Sequence, residues 1–368
     1  MKYSVIDDSL VKISDIGVRD MQVYPPLTIL MVVRSGILRR TLPIAILKNE
    51  ATINQDIKAI CLYDNSIANY IFWVLKASEQ SILEIYQKDG TTVESINFER
   101  FKDVVIPIPP YSEQRRIVSA IETAFSLIDE IEENKTSIEQ LIKQTKSKVL
   151  DLSVRGKLVR QRNDEEPVSS LLSKINGRQK SPNPSADIFH YPFKVPNSWI
   201  WAKGSECFNP MENKRPTGDI FGYIDINSID NKKHTIAKLK YLKASEAPSR
   251  ASRRVNAGDI LFSMVRPYLE NIAYVDKQFV DCIASTGFYV CKPRPLLFPK
   301  YLYYLMLSPY VINGLNTFMK GDNSPSINND NITSFLYPLP PLQEQLRIVD
   351  QIEKILAQLD KIEEAIKA

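Results

Sequence analysis

The segment GTTVESINFERFKDVVIPIPPYSEQRRIV, residues 90–118, occurs a second time as GDNSPSINNDNITSFLYPLPPLQEQLRIV, residues 321–349. The two copies align from end to end without a gap, so that Gly90 matches Gly321 and Val118 matches Val349. Both copies contain a Pro-x-Pro-Pro turn that is followed, two residues later, by Glu-Gln-x-Arg-Ile-Val. A long repeat at a fixed spacing predicts two copies of one structural unit.

The repeat extends upstream in a weaker form. The run TILMVVR ends at Arg34, and the similar run ILFSMVR ends at Arg266; both are predicted to be buried strands. The stretch of the second domain from Val195 to Arg266 is about twice as long as the chain that precedes Arg34. The first domain is therefore expected to be truncated at its front.

Downstream of the proline turn, apolar residues recur in steps of four and three, which predicts a long helix in each copy. The first helix is expected from Ser112 to about Val154, with Gly156 as its stop, and the second after Pro341. Matching apolar positions predict that the two helices form an antiparallel coiled coil; the alternative is that each helix packs against its own domain. The predicted packing positions are Ile117, Ile121, Ile128, Ile131, Ile348, Ile352, Ile355, Leu359 and Ile362.

These patterns predict an α+β protein, with two pseudo-repeated globular domains separated by two long antiparallel coiled-coil helices. Residues 157–194 have linker composition, with one apolar stretch at Val168–Ile175 that predicts a short helix. The predicted order is domain 1 (1–110), a central helix (111–156), the linker (157–194), domain 2 (195–341) and a distal helix (342–368).

Composition is that of a globular protein, with 44% hydrophobic and 24% charged residues. No stretch is long and apolar enough to cross a bilayer, and the N-terminus lacks the core of a signal peptide, so a cytoplasmic protein without a membrane partner is expected. The four cysteines include no Cys-x-x-Cys pair and there are two histidines, which disfavours a zinc site and predicts buried free thiols.

Basic charge is concentrated in the second domain. Residues 195–341 contain 17 Lys and Arg against 12 Asp and Glu, whereas residues 1–110 contain 12 against 13. The densest cluster surrounds Tyr241 and includes His234; it predicts a DNA-facing surface, with a solvated loop as the alternative. The candidate DNA contacts in this cluster are Lys238, Lys240, Tyr241, Lys243, Arg250, Arg253 and Arg254.

A second candidate lies in the repeated Gly-containing loop. Lys320, Asn323 and Ser324 offer groups suited to phosphate and base-edge contacts, and a structural turn is an equal alternative. Arg266 is a candidate for the same surface or a structural arginine. Arg34 and Lys88 are the candidate DNA contacts of the first domain.

The sequence also contains a motif that superficially suggests catalysis. Ile108-Pro109-Pro110-Tyr111 is similar to the Asn/Asp-Pro-Pro-Tyr motif of N6-adenine methyltransferases, but Ile108 cannot accept the hydrogen bond that the polar first residue accepts there. The sequence contains no Gly-x-x-x-x-Gly-Lys-Ser/Thr motif. We therefore expect a chain with no catalytic residue and no bound metal or cofactor.

Several segments together resemble the specificity subunit of type I restriction-modification systems. These are PIPPYSEQRRIV and PLPPLQEQLRIV at the two helix starts, SVRGKLVRQ and EEPVSSLLSKI after the first helix, and VPNSWIWAKGSE at residues 195–206. The resemblance implies a subunit that reads a split site in double-stranded DNA with two target-recognition domains, held apart by the helices. It also implies docking of methyltransferase subunits, which bring S-adenosylmethionine, and of restriction subunits that use ATP and Mg.

Two alternatives remain at this stage. The chain could be a truncated or half-type specificity subunit that binds DNA mainly through the second domain, with self-association as a dimer. It could also be a coiled-coil interaction protein that does not bind DNA.

Overall fold

The computed structural model describes residues 5–88, 93–162, 164–168 and 191–367. Contacts divide the chain into unit 1, Met1–Asn134, and unit 2, Lys135–Ala368, and we describe each unit by itself. The predicted linker helix over 168–175 lies outside the described residues except for Val168. None of the helices in the described ranges is long and apolar enough to cross a membrane.

Unit 1 combines a small mixed sheet with helices. The strands are β1 (Val5–Ile6), β2 (Ile29–Val32), β3 (Ile44–Leu47), β4 (Ile57–Ile60), β5 (Gln87–Lys88) and β6 (Ser95–Ile96). The helices are α1 (Asp15–Val18), α2 (Ala68–Ala77), α3 (Glu79–Tyr86), α4 (Phe98–Phe101) and the start of α5 (Tyr111–Val154). The sheet order is β1-β3-β2-β4, with β1 parallel to β3 and the other pairs antiparallel. A separate antiparallel pair, β5-β6, lies between α3 and α4 in sequence.

Alternating apolar residues in β2 build the core of unit 1. Ile29 and Met31 are fully buried and pack in one cluster with Tyr70 and Leu75 of α2. Successive side chains of a strand point to opposite faces, so this face of β2 is covered by the helices. The Tyr70 hydroxyl donates to the Pro107 carbonyl at 2.8 Å, which ties α2 to the exit segment before α5.

Unit 2 contains a larger two-sheet domain. The strands are β7 (Ile200–Lys203), β8 (Phe208–Asn209), β9 (Ile220–Ile224), β10 (Ile229–Asp230), β11 (Thr235–Ile236), β12 (Lys240–Lys243), β13 (Ala251–Arg254), β14 (Ile260–Ser263), β15 (Ile272–Tyr274), β16 (Ile283–Ser285), β17 (Phe288–Pro293) and β18 (Leu336–Leu339). The two main sheets have the orders β15-β14-β17-β8 and β12-β9-β16-β13, and β18 pairs with β7. The helices are α6 (Gly204–Cys207), α7 (Pro299–Met306), α8 (Pro309–Asn316), α9 (Asn329–Ser334) and α10 (Leu342–Lys367).

The two faces of β14 belong to two different cores. Ile260 and Phe262 pack among the helices, whereas Leu261 packs with Ile224 and Ala284 of the second sheet. All five side chains are fully buried. The second sheet is thus held onto the first by an apolar layer, and its edges carry much of the basic cluster.

The repeat is present in the structure at the spacing found in the sequence. Ile29 pairs with Ile60 in unit 1, and Ile260 pairs with Cys291 in unit 2. The predicted alignment of Arg34 with Arg266 is wrong by one residue. In unit 1 the Ser35 amide donates to the Glu94 carbonyl, and the equivalent hydrogen bond in unit 2 runs from the Arg266 amide to the Pro325 carbonyl. Ser35, not Arg34, is therefore the counterpart of Arg266.

Within unit 2, the end of α5 lies antiparallel to α10. Lys146 forms ion pairs with Asp360 at 2.7 Å and Glu363 at 2.9 Å, while Gln161, beyond the end of α5, donates to Glu344 at the start of α10. Contacts that lie later in the segment of α5 therefore meet residues that lie earlier in α10, as expected for an antiparallel pair. Helix α5 ends at Val154, and Gly156 follows in the left-handed region with a φ of 67°, as predicted.

The packing positions differ from those predicted on the first helix. Ile117 packs against the core of unit 1, Ile121 is half-buried, and Ile128 and Ile131 are exposed. The predicted packing is therefore wrong at Ile117, Ile128 and Ile131, and stays a prediction at Ile121. In α10, Ile348 and Ile352 are fully buried in one cluster with Val149 of α5, Ile355 packs beside them, and Leu359 is half-buried. Ile362 is exposed, so the predicted packing is wrong at this position as well.

The start of each helix packs against its own unit, which agrees with the alternative prediction. Trp73 of α2 stacks on Phe125 of α5 with ring centroids 5.1 Å apart. Helix α10 has 26 residues, about 39 Å at 1.5 Å per residue, which is enough to face only part of the 44-residue α5.

The described strands and helices confirm the α+β class. All four cysteines are free. Cys207, Cys282 and Cys291 are buried as predicted, but Cys61 is exposed because it follows the last paired residue of β4.

Candidate nucleic-acid interface

One end of unit 2 gathers loops from several strands. The Met264 amide donates to the Gly287 carbonyl at 2.9 Å, and the Thr286 amide donates to the Arg250 carbonyl at 2.8 Å. The Ile327 amide donates to the Met264 carbonyl at 2.9 Å. We call this set the loop end of unit 2: residue 250 and residues 264–270, 286–287 and 320–327. The backbone hydrogen bonds hold all four pieces together.

Arg266 joins two of these pieces. Its amide donates to the Pro325 carbonyl at 2.8 Å, and its Nη2 donates to the Asn323 carbonyl at 2.9 Å. Its guanidinium is nevertheless exposed, so Arg266 combines the structural role with an accessible positive charge. The structure thus brings Arg266 together with the exposed side chains of Lys320, Asn323 and Ser324.

The hairpin of Lys320 is shaped by a glycine. Lys320 and Ser326 form an antiparallel bridge, and Gly321 has a φ of 100°, a conformation that other residues rarely adopt. The loop at Gly321 is therefore a structural turn that also exposes a cation, whereas its copy at Gly90 lies outside the described residues. The structural-turn alternative thus holds for this loop, and the DNA contacts of Lys320, Asn323 and Ser324 stay a prediction.

The other side of the Arg266 turn is anchored by the segment of His234. Asn231 donates to the Leu269 carbonyl at 2.8 Å, and His234 Nδ1 lies 3.2 Å from the Glu270 carbonyl oxygen. Burial lowers the pKa of His234, so the neutral imidazole adds no charge to the basic surface at neutral pH. Burial also raises the pKa of Glu270.

The basic cluster predicted from the sequence is divided between two edges of one sheet. β12 carries Lys240, Tyr241 and Lys243 at one edge, whereas β13 carries Arg253 and Arg254 at the other. Two strands separate these edges, a distance of about 14 Å at roughly 4.8 Å per strand. Lys238 and Arg250 are exposed, and both lie just before one of these edge strands, toward the loop end.

Carboxylates accompany several of the basic side chains. Lys240 pairs with Asp225, and Lys243 pairs with Glu246 at 3.8 Å. Tyr241, between the two lysines, is 72% exposed. An anionic ligand at this edge has to compete with existing ion pairs, whereas the exposed aromatic ring is available for stacking.

A buried ion network that the sequence did not reveal supports β13. Lys292 is only 5% exposed and contacts Glu212 at 3.2 Å and Asp259 at 3.5 Å, while Glu212 also pairs with Arg254 at 2.9 Å. The hydrogen bond from Lys292 lowers the pKa of Glu212, and burial raises the pKa of Asp259. The Glu212 carboxylate, which Lys292 holds in place, therefore also positions the Arg254 side chain. Arg253 Nη1 donates to Asn213 at 2.9 Å.

Unit 1 has an equivalent junction. Arg34 and Lys88 each pair with Ser95, and both side chains are exposed. Arg39 pairs with Glu94 in the same hairpin. Arg34 and Lys88 therefore lie on opposite sides of Ser95, at the strand-end junction that corresponds to the one of Arg266 and Lys320, and Arg34 is one residue before the counterpart of Arg266.

No group of three or more His, Cys, Asp or Glu side chains suited to hold a metal ion occurs within residues 5–88, 93–162, 164–168 and 191–367. What the geometry presents instead is two equivalent strand-end junctions with exposed cations, backbone amides and short polar side chains. Such groups position nucleic acid through its phosphates and sugars. The fold and the site together define a two-unit α+β protein that exposes basic side chains at a strand-end junction in each unit.

The family model of the type I restriction modification DNA specificity domain matches residues 28–140 and 205–368, well over half of the chain. The chain belongs to this family, which confirms the resemblance found in its sequence. It is 36% identical over 112 residues to the EcoR124I/EcoR124II specificity subunit of Escherichia coli, covering 30% of this chain and 28% of that protein.

A second similar protein is the EcoDI specificity subunit of Escherichia coli, 21% identical over 300 residues, covering 81% of this chain and 64% of that protein. The chain thus spans less than two thirds of the length of these relatives. A solved structure, the HsdS subunit from Thermoanaerobacter tengcongensis, is 35% identical with a TM-score of 0.45, covering 47% of this chain and 46% of that one.

Proposed function

We propose that this chain is the non-catalytic, sequence-specific DNA-binding specificity subunit of a type I restriction-modification complex. The observation that carries the proposal is that each unit exposes two cations at the same strand-end junction. These are Arg266 and Lys320 in unit 2, and Arg34 and Lys88 in unit 1, each one position away from the counterpart of the unit 2 residue. Two copies of one basic junction suit a bipartite site in double-stranded DNA, one half per unit. Membership of the specificity family supports the same conclusion.

In this proposal the helices form a coiled-coil spacer between the two halves of the site. The pairing of Lys146 with Asp360 and Glu363 supports an antiparallel arrangement of α5 and α10. The exposed apolar positions of α5, such as Ile128 and Ile131, are suited to docking of methyltransferase subunits. Those subunits would bring S-adenosylmethionine, and restriction subunits would bring ATP and Mg chemistry.

The test is co-purification with an adenine methyltransferase subunit, followed by genome-wide mapping of the methylated positions. Methylation at a bipartite motif with two different halves is the expected result. Charge reversal at Arg253 and Arg254, as a separate test of the β13 edge, should weaken binding to duplex DNA and flatten its salt dependence. If the chain associates with no methyltransferase subunit and binds no duplex at low salt, the proposal fails.

A second candidate is a half-type subunit that binds DNA mainly through unit 2 and completes itself by dimerisation. It is favoured by one observation: the four-stranded sheet that carries Lys240 and Arg254 belongs to unit 2, and unit 1 has no equivalent sheet among residues 5–88 and 93–134. In that case the mapped motif would be a palindrome built from one repeated half-site, and the chain would sediment as a dimer.

A further inference from the structure

A strained turn at the loop end of unit 2 presents apolar side chains to solvent. Pro267–Leu269 form a 3₁₀ turn whose flanking residues, Arg266 and Glu270, both have left-handed backbone, with φ values of 47° and 55°. A non-glycine residue in this region costs of order 1 kcal/mol or more and persists only where its surroundings hold it. Tyr268, in the middle of the turn, is 45% exposed.

The surroundings hold this turn from both sides. Arg266 bonds to the Asn323 and Pro325 carbonyls of the hairpin, and Asn231 donates to the Leu269 carbonyl on the opposite side. The Tyr268 ring is therefore carried on a fixed support. A rigid support lowers the conformational entropy lost when an exposed side chain inserts into a ligand.

Unit 1 has an exposed apolar residue at the same place, on a turn that is not flanked by left-handed residues. Gly36–Arg39 form a 3₁₀ turn at the position of Pro267–Leu269, and Ile37 corresponds to Tyr268 in the alignment of the two copies. Ile37 is 46% exposed. This turn is also tied to its hairpin by an arginine, since Arg39 pairs with Glu94.

Single exposed apolar residues are common on protein surfaces. Here, however, an exposed apolar residue occupies the same place in both repeats, on turns that are each tied to the hairpin by an arginine. In each unit it lies beside exposed cations: Arg34 and Arg40 in unit 1, Arg266 and Lys320 in unit 2. An apolar side chain next to phosphate-binding cations is the arrangement of proteins that insert a wedge between base pairs and kink the duplex.

We propose that Tyr268 and Ile37 are wedge residues, one per half-site, that enter the base stack and bend the DNA. The inference rests on the proposed function and deepens it, because it names the side chains that would deform the duplex rather than only bind it. Arg266 and Lys320 would hold the phosphates on either side of the unstacked step. Specificity would then depend partly on how easily that step unstacks.

The test uses the chain in the complex in which it purifies, with duplexes that carry the methylated motif. Circularly permuted duplexes report the bend angle, and 2-aminopurine placed at each adenine in turn reports unstacking as a rise in fluorescence. We expect Tyr268→Ala to abolish the rise in one half-site, to reduce the bend and to weaken binding about tenfold. Ile37→Ala should act on the other half-site alone.

Two variants serve as controls. Tyr268→Phe keeps the ring and should retain both the bend and the fluorescence rise. Tyr63→Ala removes a fully exposed tyrosine from beyond the opposite end of β4 and should change neither. Thermal unfolding of each variant confirms that the exposed substitutions leave the fold intact.

The outcomes separate this proposal from the proposed function. If Lys320→Ala weakens DNA binding while Tyr268→Ala leaves bend and fluorescence unchanged, the wedge is refuted and the DNA-binding function stands. If Tyr268→Ala instead loosens the methyltransferase subunit without affecting the bend, the turn is a protein contact and the wedge is again refuted. If no duplex is bound under any condition, both proposals fall.

Discussion

Unit 1 and unit 2 share their central strands, helices and proline turn, but the elements that pack around this shared core differ. Tyr70 donates to the Pro107 carbonyl in unit 1, and Tyr301 donates to the Pro338 carbonyl at the equivalent place in unit 2. In unit 2, β18 pairs with β7, whereas residues 104–108 of unit 1 form no strand. The repeated core is thus preserved while the elements that cover it are not.

The glutamates at the two helix starts show what the covering elements change. Glu344 is 1% exposed, accepts from Trp199 Nε1 at 2.9 Å and bonds to Gln161. Its counterpart Glu113 is exposed. The same residue in the same local sequence is therefore a buried acceptor in one unit and a solvated side chain in the other. Burial also raises the pKa of Glu344.

The largest expected effect tests whether the two cores are equivalent. Tyr301→Ala and Tyr70→Ala each remove a buried ring and its hydrogen bond, and each should lower the free energy of unfolding by about 4 kcal/mol. Calorimetric or denaturant unfolding measures the loss. Tyr63→Ala, at an exposed tyrosine, should stay within about 0.5 kcal/mol. A small effect at either buried position would break the equivalence.

The next effect tests the difference between the helix starts. Glu344→Ala leaves the Trp199 indole N–H buried without its acceptor and should cost about 2–3 kcal/mol. Glu113→Ala is the matched control and should be nearly neutral, because its side chain is exposed. Equal losses at the two positions, measured by urea unfolding, would contradict the assigned environments.

A third prediction compares the two basic junctions. Lys320→Ala should weaken duplex binding about tenfold and lower the slope of log affinity against log salt by about one, as expected for the loss of one phosphate contact. Lys277→Ala, an exposed lysine after β15 at the opposite end of the sheet, is the control. Lys88→Ala should have a smaller effect if unit 2 dominates binding. Titrations at several salt concentrations give each value, and an unchanged slope for Lys320→Ala would remove this lysine from the DNA face.

The smallest predicted effect concerns the contact between α5 and α10. Hydrogen bonds from Lys367 and Lys146 lower the pKa of Glu363 to about 2 from an ordinary 4.5. A lowered pKa in the folded state means that Glu363 stabilises the fold fully above pH 4.5 and loses this contribution as the pH falls toward 2. The stability difference between the wild type and Glu363→Gln should therefore shrink between pH 6 and 3. Glu364→Gln, at an exposed neighbour, is the control, and a difference that is constant with pH would contradict the prediction.

Much of the fold was predictable from the sequence. The repeated proline turn, the buried strands ending near Arg34 and Arg266, and the long helix ending before Gly156 depend on local patterns, and all are present in the structure. The exact packing positions of the first helix were not predictable, because a stripe of apolar residues does not specify its partner. Ile117 packs against its own unit, and Ile128 and Ile131 are exposed.

The candidate site was predictable only in part. The junction of Arg266 with Lys320 joins residues that the sequence named, and the same holds for Arg34 with Lys88. The split of the basic cluster between β12 and β13 could not be foreseen, because it depends on the strand order β12-β9-β16-β13. The buried Lys292 network was missed for a similar reason, since no local pattern marks a lysine that will be buried.

The two-copy organisation of this protein is readable from the amino-acid sequence alone, because the recurrence of segment 90–118 at 321–349 and the helix periodicity behind it are properties of the chain. Which side chains meet is set by tertiary packing instead. The environment of Glu113 and Glu344, the anchored turns of Ile37 and Tyr268, and the partners of Arg254 all depend on segments distant in sequence. Local patterns set which elements form, whereas the burial and charge of each site depend on what packs against it.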